Sequence, residues 1–349
     1  MMKCISTRAF TASALALIAA CGGCGGGGDA SAPPPAPATQ VPISSSNQTA
    51  VARSVVSGGV ALTLAQPLAA PGRATAQSVA GSASPMAGSA LQAIAQRMVR
   101  LTLAHRQAPQ RAQPLAASTD TEACSAGGSI ATTFDDRDNN GDVSAGDVLT
   151  AAFAQCRETD DSRLDGTVVL RVTAVPANTA TRVELRGSMS FQQLGAAFGG
   201  TTATLAGSVD FSAAVTESAV QMAMTVGADA LRIGASSPGY SESVTYESGM
   251  RVTVGQALTG TQATTFTLDG SFSSQSLGGR ITVSTPRAMT QVPTDDYPAS
   301  GQIVATGAGG SQLRITVLDA AQLRLELDAN GDGTFEASQA VAWSSLAPN

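Results

Sequence analysis

Leu164-Asp165-Gly166-Thr167-Val168 opens a phrase that returns as Leu185-Arg186-Gly187-Ser188-Met189, Leu205-Ala206-Gly207-Ser208-Val209 and Leu268-Asp269-Gly270-Ser271-Phe272. With fainter echoes at Gly227 and Gly249, the glycines recur every 20 to 22 residues. Such a step equals two strands of about eight residues with two short turns, so it predicts one β-hairpin per step. Around Gly187 the residues alternate, with Val183, Leu185, Met189 and Phe191 on one side and Arg182, Glu184, Arg186, Ser188 and Ser190 on the other. A period of two is the mark of a strand with one dry face. Each glycine takes the place of an apolar side chain on that face, which lets a sheet bend or another chain approach. The predicted fold is mainly β: a curled antiparallel meander, closed as a barrel or open as a half-barrel.

Working toward the C-terminus, further strands are expected at Ile281 to Val283, Ile303 to Ala305, Leu313 to Val317, Leu323 to Leu327 and Val341 to Trp343. Pro286 to Pro298 reads as a longer loop. Toward the N-terminus lie strands at Gly128 to Phe134 and Val148 to Phe153. The total is about twelve to fifteen strands, too many for one flat sheet.

Ahead of the strands, Ser84-Pro85 begins a helical pattern in which Leu91, Ile94, Met98 and Leu101 share a face. One amphipathic helix over about 85 to 105 is therefore expected to cover an open face or end of the sheet. His105, the single histidine, has no second histidine to join it in a metal or catalytic site. Residues 51 to 83 are rich in Ala, Ser and Gly and accommodate either a short helix or a loose arm.

The first twenty residues combine Lys3 and Arg8, an apolar run from Ala14 to Ala20, and the junction Ile18-Ala19-Ala20-Cys21. This is the pattern of a secretory signal. Small residues running straight into a cysteine resemble the lipobox of bacterial lipoproteins, which implies cleavage before Cys21 and lipid on its new N-terminus. In proteobacterial lipoproteins an Asp after that cysteine favours the inner membrane. Here Gly22 follows, so the resemblance implies the outer membrane. An ordinary secretory signal with an incidental cysteine is the alternative. Domain boundaries follow: signal 1–20, lipidated cysteine and flexible Gly/Pro/Ser tether 21–50, Ala-rich arm and helix 51–115, and β domain 116–349.

Loss of Lys3 and Arg8 with the signal takes the net charge from −6 to −8 and leaves no lysine. Such a chain has no electrostatic footprint for nucleic acid or for anionic headgroups. The membrane is therefore expected as a partner only through the lipid. Three tyrosines and one tryptophan are too few for the aromatic girdles of a membrane barrel or for a stacking carbohydrate site. Of the five cysteines, Cys4 leaves with the signal, Cys21 takes lipid and Cys24 lies in a glycine run. Cys124 and Cys156 remain, and in an exported chain they are expected to form a disulfide.

Between those cysteines runs Asp136-Arg137-Asp138-Asn139-Asn140-Gly141-Asp142-Val143-Ser144-Ala145-Gly146-Asp147. Set against a calcium loop of the EF-hand kind, Asp136, Asp138 and Asn140 occupy positions 1, 3 and 5. Gly141 takes position 6, Asp142 offers a carbonyl at 7, and Asp147 returns a carboxylate at 12. Two features depart from that motif: the flanks read as strands, and Asp147 is shorter than the usual Glu. The loop is either an ion site grafted between strands, taking Ca2+, or an acidic turn of Asx and Gly chemistry. A second loop, Asp328-Ala329-Asn330-Gly331-Asp332-Gly333-Thr334-Phe335-Glu336, repeats the first half of the pattern, with Gln339 at its twelfth position. A tight hairpin turn accounts for it better, and calcium on Asp328, Asn330 and Asp332 is the weaker reading.

The chain has no Gly-x-Ser-x-Gly elbow, phosphate loop or zinc spacing, so the common nucleophilic and metal-dependent schemes lack parts. Taken together, the lipobox, the tether, the Cys124 to Gly128 opening, the acidic loop and the closing Leu327-Asp328 to Trp343 segment resemble a group of uncharacterised proteobacterial lipoproteins. The resemblance implies an envelope location and carries no reaction. The expectation is a non-enzymatic, outer-membrane-anchored lipoprotein with a structural or binding role. The alternative is a periplasmic carrier or sensor enclosing a hydrophobic ligand, an architecture similar to periplasmic lipoprotein carriers.

Overall fold

A computed structural model describes residues 38–63, 118–140, 143–157, 160–179, 181–198, 200–237, 240–295 and 297–346. The expected signal, Cys21 and the helix over 85 to 105 lie outside these residues. The described chain holds helix α1 (Gln48–Thr63) and sixteen strands. In chain order these are β1 (Ser118–Ala123), β2 (Ser129–Asp135), β3 (Val148–Cys156), β4 (Ser162–Asn178), β5 (Arg182–Phe198) and β6 (Thr201–Thr216). There follow β7 (Ala219–Val226), β8 (Leu231–Ser237), β9 (Tyr240–Tyr246), β10 (Arg251–Ala257), β11 (Thr264–Ser274) and β12 (Gly279–Gln291). The last four are β13 (Ser300–Thr306), β14 (Gln312–Val317), β15 (Gln322–Asp328) and β16 (Ala337–Ala342).

All sixteen belong to one antiparallel sheet whose neighbours follow chain order, so the fold is the expected meander. Its one apparent exception is informative. The second half of β6 pairs with β7 and its first half with β8, while β10 and β9 pair with β7 and β8 in turn. The pairs β7–β8 and β9–β10 are thus two long strands, each interrupted by a four-residue turn, 227–230 and 247–250.

Those interruptions lie on a row of irregularities that crosses the sheet. Register shifts fall at Phe153/Cys156 in β3, Asp165/Thr167 in β4 and Phe191/Leu194 in β5. Gly166, Gly207 and Gly270 take φ of +111°, +117° and +131° on this row. A Cβ on Gly207 would lie 2.0 Å from the Ala230 carbonyl oxygen, and one on Gly270 2.7 Å from the Met250 Cα. A glycine at positive φ against a bulged neighbour bends the strand and sharpens its twist, and repeating the device strand after strand curls the sheet.

The phrase Leu-x-Gly therefore marks a bend, and the 20-residue step is one long strand in β4 to β6 rather than the expected hairpin. Strands twice the expected length arise because bulges absorb twist that would otherwise end them. Gly187 is different: it keeps a negative φ and lies off this row, opposite Phe211 on one side and, on the other, Val172, where β4 has a separate register shift before Ala174. Pro286 also departs from expectation. It lies within β12, between Ser284 and Arg287 where the register shifts, and the loop begins only after Gln291. A bulge leaves a residue without a ladder partner, so the missing N–H of proline costs nothing there.

One hydrophobic core draws side chains from β2 through β16 and from α1. Val51, Ala52 and Val55 of α1 are fully buried. The helix touches β10 and β11 on one side and β14 and β15 on the other. Because β12 and β13 separate those pairs in the sheet, the sheet wraps around the helix. Upstream, Arg280 donates its N–H to Thr39 O at 2.9 Å, Val41 to Arg280 O at 3.0 Å, and Ala308 to Val41 O at 2.9 Å. Ile43 is buried at 1% exposure. Residues 38 to 47, expected as free tether, are thus tied to the sheet through the backbone of Thr39 and Val41 and the buried Ile43 side chain, and 48 to 50 begin α1.

Candidate metal centre

The first acidic loop joins β2 to β3. Its flanking strands pair from Ser129 opposite Ala154 to Asp135 opposite Val148, so the two ends of the loop are held side by side. Carboxylate oxygens of Asp136, Asp138 and Asp147 lie within 4.8 Å of one another. Asp136 and Asp147 are buried and Asp138 is exposed. Asp147 organises the turn: its Oδ1 accepts the Arg137 N–H at 3.1 Å and its Oδ2 the Ser144 N–H at 2.6 Å. Asp138 accepts the Ser144 hydroxyl at 2.8 Å and the Asn140 side-chain amide at 2.9 Å on Oδ2, and the Asn140 N–H at 3.3 Å on Oδ1. The Ser144 hydroxyl, aided by the Asn140 N–H, holds the Asp138 carboxyl below its ordinary range. Three of the expected ligands are thereby brought together. Asn140 turns its amide nitrogen toward Asp138, and Asp142 lies outside the described residues.

The second loop joins β15 to β16 and repeats the arrangement with one change of member. Oxygens of Asp328, Asp332 and Glu336 lie within 4.8 Å of one another. Asp328 is fully buried and accepts the Gly331 N–H at 2.7 Å and the Gly333 N–H at 2.8 Å, one on each oxygen. Asp332 accepts the Thr334 N–H at 2.7 Å, which with the Asn330 amide lowers its pKa. Asn330 in turn accepts the Asp332 N–H at 2.8 Å. Glu336 is the residue that sequence reasoning missed. It sits three positions before Gln339, which the pairing of β16 carries into the strand opposite Leu325. The available signal was the length of the turn, since a loop that closes into a hairpin brings round its last acid rather than its twelfth residue.

A carboxylate oxygen has lone pairs to spare after one N–H bond, so these turns leave oxygen atoms for a hard cation. Three carboxylates so close repel one another, and a divalent cation is the charge that relieves this. The second loop is also braced from outside: the Arg314 guanidinium lies 3.9 Å over the Phe335 ring and makes two 2.9 Å bonds to Glu326. That pair holds the Glu326 carboxyl low and raises Arg314.

The two loops lie at opposite ends of the sheet, because an odd number of antiparallel strands runs from β3 through β15 with β7–β8 and β9–β10 each continuous. They are separate centres. The Cys124–Cys156 disulfide, with Cα atoms 5.4 Å apart, closes the end of the β2–β3 hairpin away from the first loop. It ties the β1–β2 turn to the end of β3, and both cysteines are buried. No family model, no curated protein and no solved structure matches the chain.

Proposed function

We propose that this chain is an outer-membrane lipoprotein, anchored by lipid on Cys21, whose β domain has a structural or binding role without catalysis and is stabilised by calcium. The observation that carries the calcium reading is recurrence. Two loops at opposite ends of the sheet each gather three carboxylates within 4.8 Å, with a buried Asp accepting two loop N–H groups. The Ile18-Ala19-Ala20-Cys21 junction supports the anchor. The resemblance to proteobacterial lipoproteins supports the outer membrane.

The test is thermal unfolding in calcium and in chelator, with palmitate labelling of the exported chain. Calcium should raise the midpoint, and Asp138→Asn with Asp332→Asn should remove that rise. Label should be incorporated by the parent chain and not by Cys21→Ser. A midpoint indifferent to calcium reduces both loops to turn chemistry. Label on Cys21→Ser removes the anchor reading. A carrier of a hydrophobic ligand is the second reading, favoured by the curl of the sheet around an apolar interior whose described occupant is α1. Lipid retained by the detergent-extracted chain under native mass spectrometry would turn the choice toward it.

A further inference from the structure

Among the described residues β1 and β16 are the two strands paired on one side only. The β16 edge has a defined direction. Trp343 donates its N–H to Ala321 O at 3.1 Å, and the register runs from Ala342 opposite Gln322 to Ala337 opposite Leu327. Backbone groups alternate sides along an antiparallel strand, so Ala337, Gln339 and Val341 bond to β15. Ser338, Ala340 and Ala342 turn their N–H and C=O groups away from the sheet, the Ala342 carbonyl also accepting the Ser345 hydroxyl at 2.7 Å, and their side chains are exposed. From 337 to 345 the chain has no charged residue and no proline. Natural sheets guard their edges with such residues, and β16 has none. The other edge is guarded, since Asp120 and Glu122 of β1 are exposed and two copies of β1 would set like charges side by side.

We propose that β16 is a homodimerisation edge, pairing antiparallel with β16 of a second copy about a two-fold axis at Ala340. In that register Ala340 meets Ala340, and Ser338 meets Ala342. Glu336, the nearest charge, falls opposite Ser344 rather than its own equivalent. A second copy is the occupant because the edge is self-complementary in size and charge: with the axis at Ala340, small uncharged side chains meet at all three outer pairs and no charge meets its own equivalent. The contact is isologous and closes on itself, so it gives dimers and not filaments.

Cross-linking of the whole chain, with Cys4, Cys21 and Cys24 changed to Ser, tests the register. Under mild oxidation Ala340→Cys should give a disulfide-linked dimer, since paired Cα atoms stand about 5.5 Å apart. Ser338→Cys should not link to itself, because its two copies would be about 14 Å apart, yet it should link to Ala342→Cys when the two are mixed. Ala340→Pro, in the chain without added cysteines, should sediment as a monomer, and its unfolding midpoint should equal that of the parent diluted until it too is monomeric. Failure of Ala340→Cys to link, or equal linking by Ser338→Cys, overturns the proposal.

Discussion

Asp147 and Asp138 sit in one loop but answer to different forces, and a pair of substitutions separates them. Asp147 is fully buried and takes two backbone N–H groups, so Asp147→Ala leaves those donors without an acceptor whether or not an ion is present. The expected loss is about 1 to 3 kcal/mol, read as the urea midpoint in chelator. Asp138 is exposed and bonds side chains of its own loop. Asp138→Ala should leave the chelator midpoint within about 0.5 kcal/mol of the parent and act only in calcium. Equal effects in chelator would mean that both acids serve the turn. Glu326 gives the pH-dependent case. Arg314 lowers its pKa below the ordinary 4.5, so the folded state binds its proton less readily than the unfolded chain. The contribution of the pair is fully present above about pH 4.5 and is lost as pH falls through the lower folded value. Glu326→Gln should therefore cost about 1 kcal/mol near neutrality, and its stability should converge on the parent curve in acid. Urea unfolding at several pH values reads this. A deficit that persists undiminished in acid would assign the loss to packing.

At the scale of elements the recurring glycines matter more for how strands bend than for where they end. Gly207→Val forces a β-branched side chain into φ +117° and against the Ala230 carbonyl, and should cost at least about 3 kcal/mol. Gly195 in β5 is the control, because a Cβ there meets nothing within 4 Å. Gly195→Ala should be neutral or stabilise by up to about 1 kcal/mol through the unfolded chain. Chemical unfolding of both variants decides the matter, and similar losses would remove the special role of the bend row. The same row shows what was legible in the sequence. Period-two alternation and the glycine spacing announced a curled antiparallel sheet, since both are local. The strand length was misjudged, because a bulge and a turn look alike in a sequence that marks both with Gly. One local clue marks two of the bulges: Asp165 accepts the Gln155 N–H at 2.7 Å and Asp269 the Thr285 N–H at 3.1 Å. Leu-Asp-Gly is thus a bulge with its own acceptor, Leu205-Ala206-Gly207 bends without one, and Leu185-Arg186-Gly187 lies off the row at negative φ. In the acidic loops the spacing found Asp136, Asp138, Asp147, Asp328 and Asp332. Glu336 was hidden because its place depends on how the hairpin closes.

For the molecule as a whole, the curl would leave an apolar interior, and α1 shares in filling it. If α1 were an accessory of the tether, perturbing it would leave the sheet intact. Its position argues the opposite, since Val51, Ala52 and Val55 are fully buried between strand pairs that β12 and β13 keep apart. Arg53 reinforces the contact by donating to Leu346 O at 3.3 Å, at the turn that carries Trp343. Val55→Asp places a carboxylate in that interior with its desolvation uncompensated and should cost about 3 kcal/mol or more, lowering the midpoint of the entire domain. Trp343, the single tryptophan, is 3% exposed and stacks on Tyr297, so its fluorescence reports the core beside the helix while far-UV dichroism reports the strands. Both probes should move together to the same lower midpoint, as a cooperative unit requires. Fluorescence shifting alone, with the dichroism transition unmoved, would show that the curl of the sheet stands without its helix and that the interior is free to accept something else.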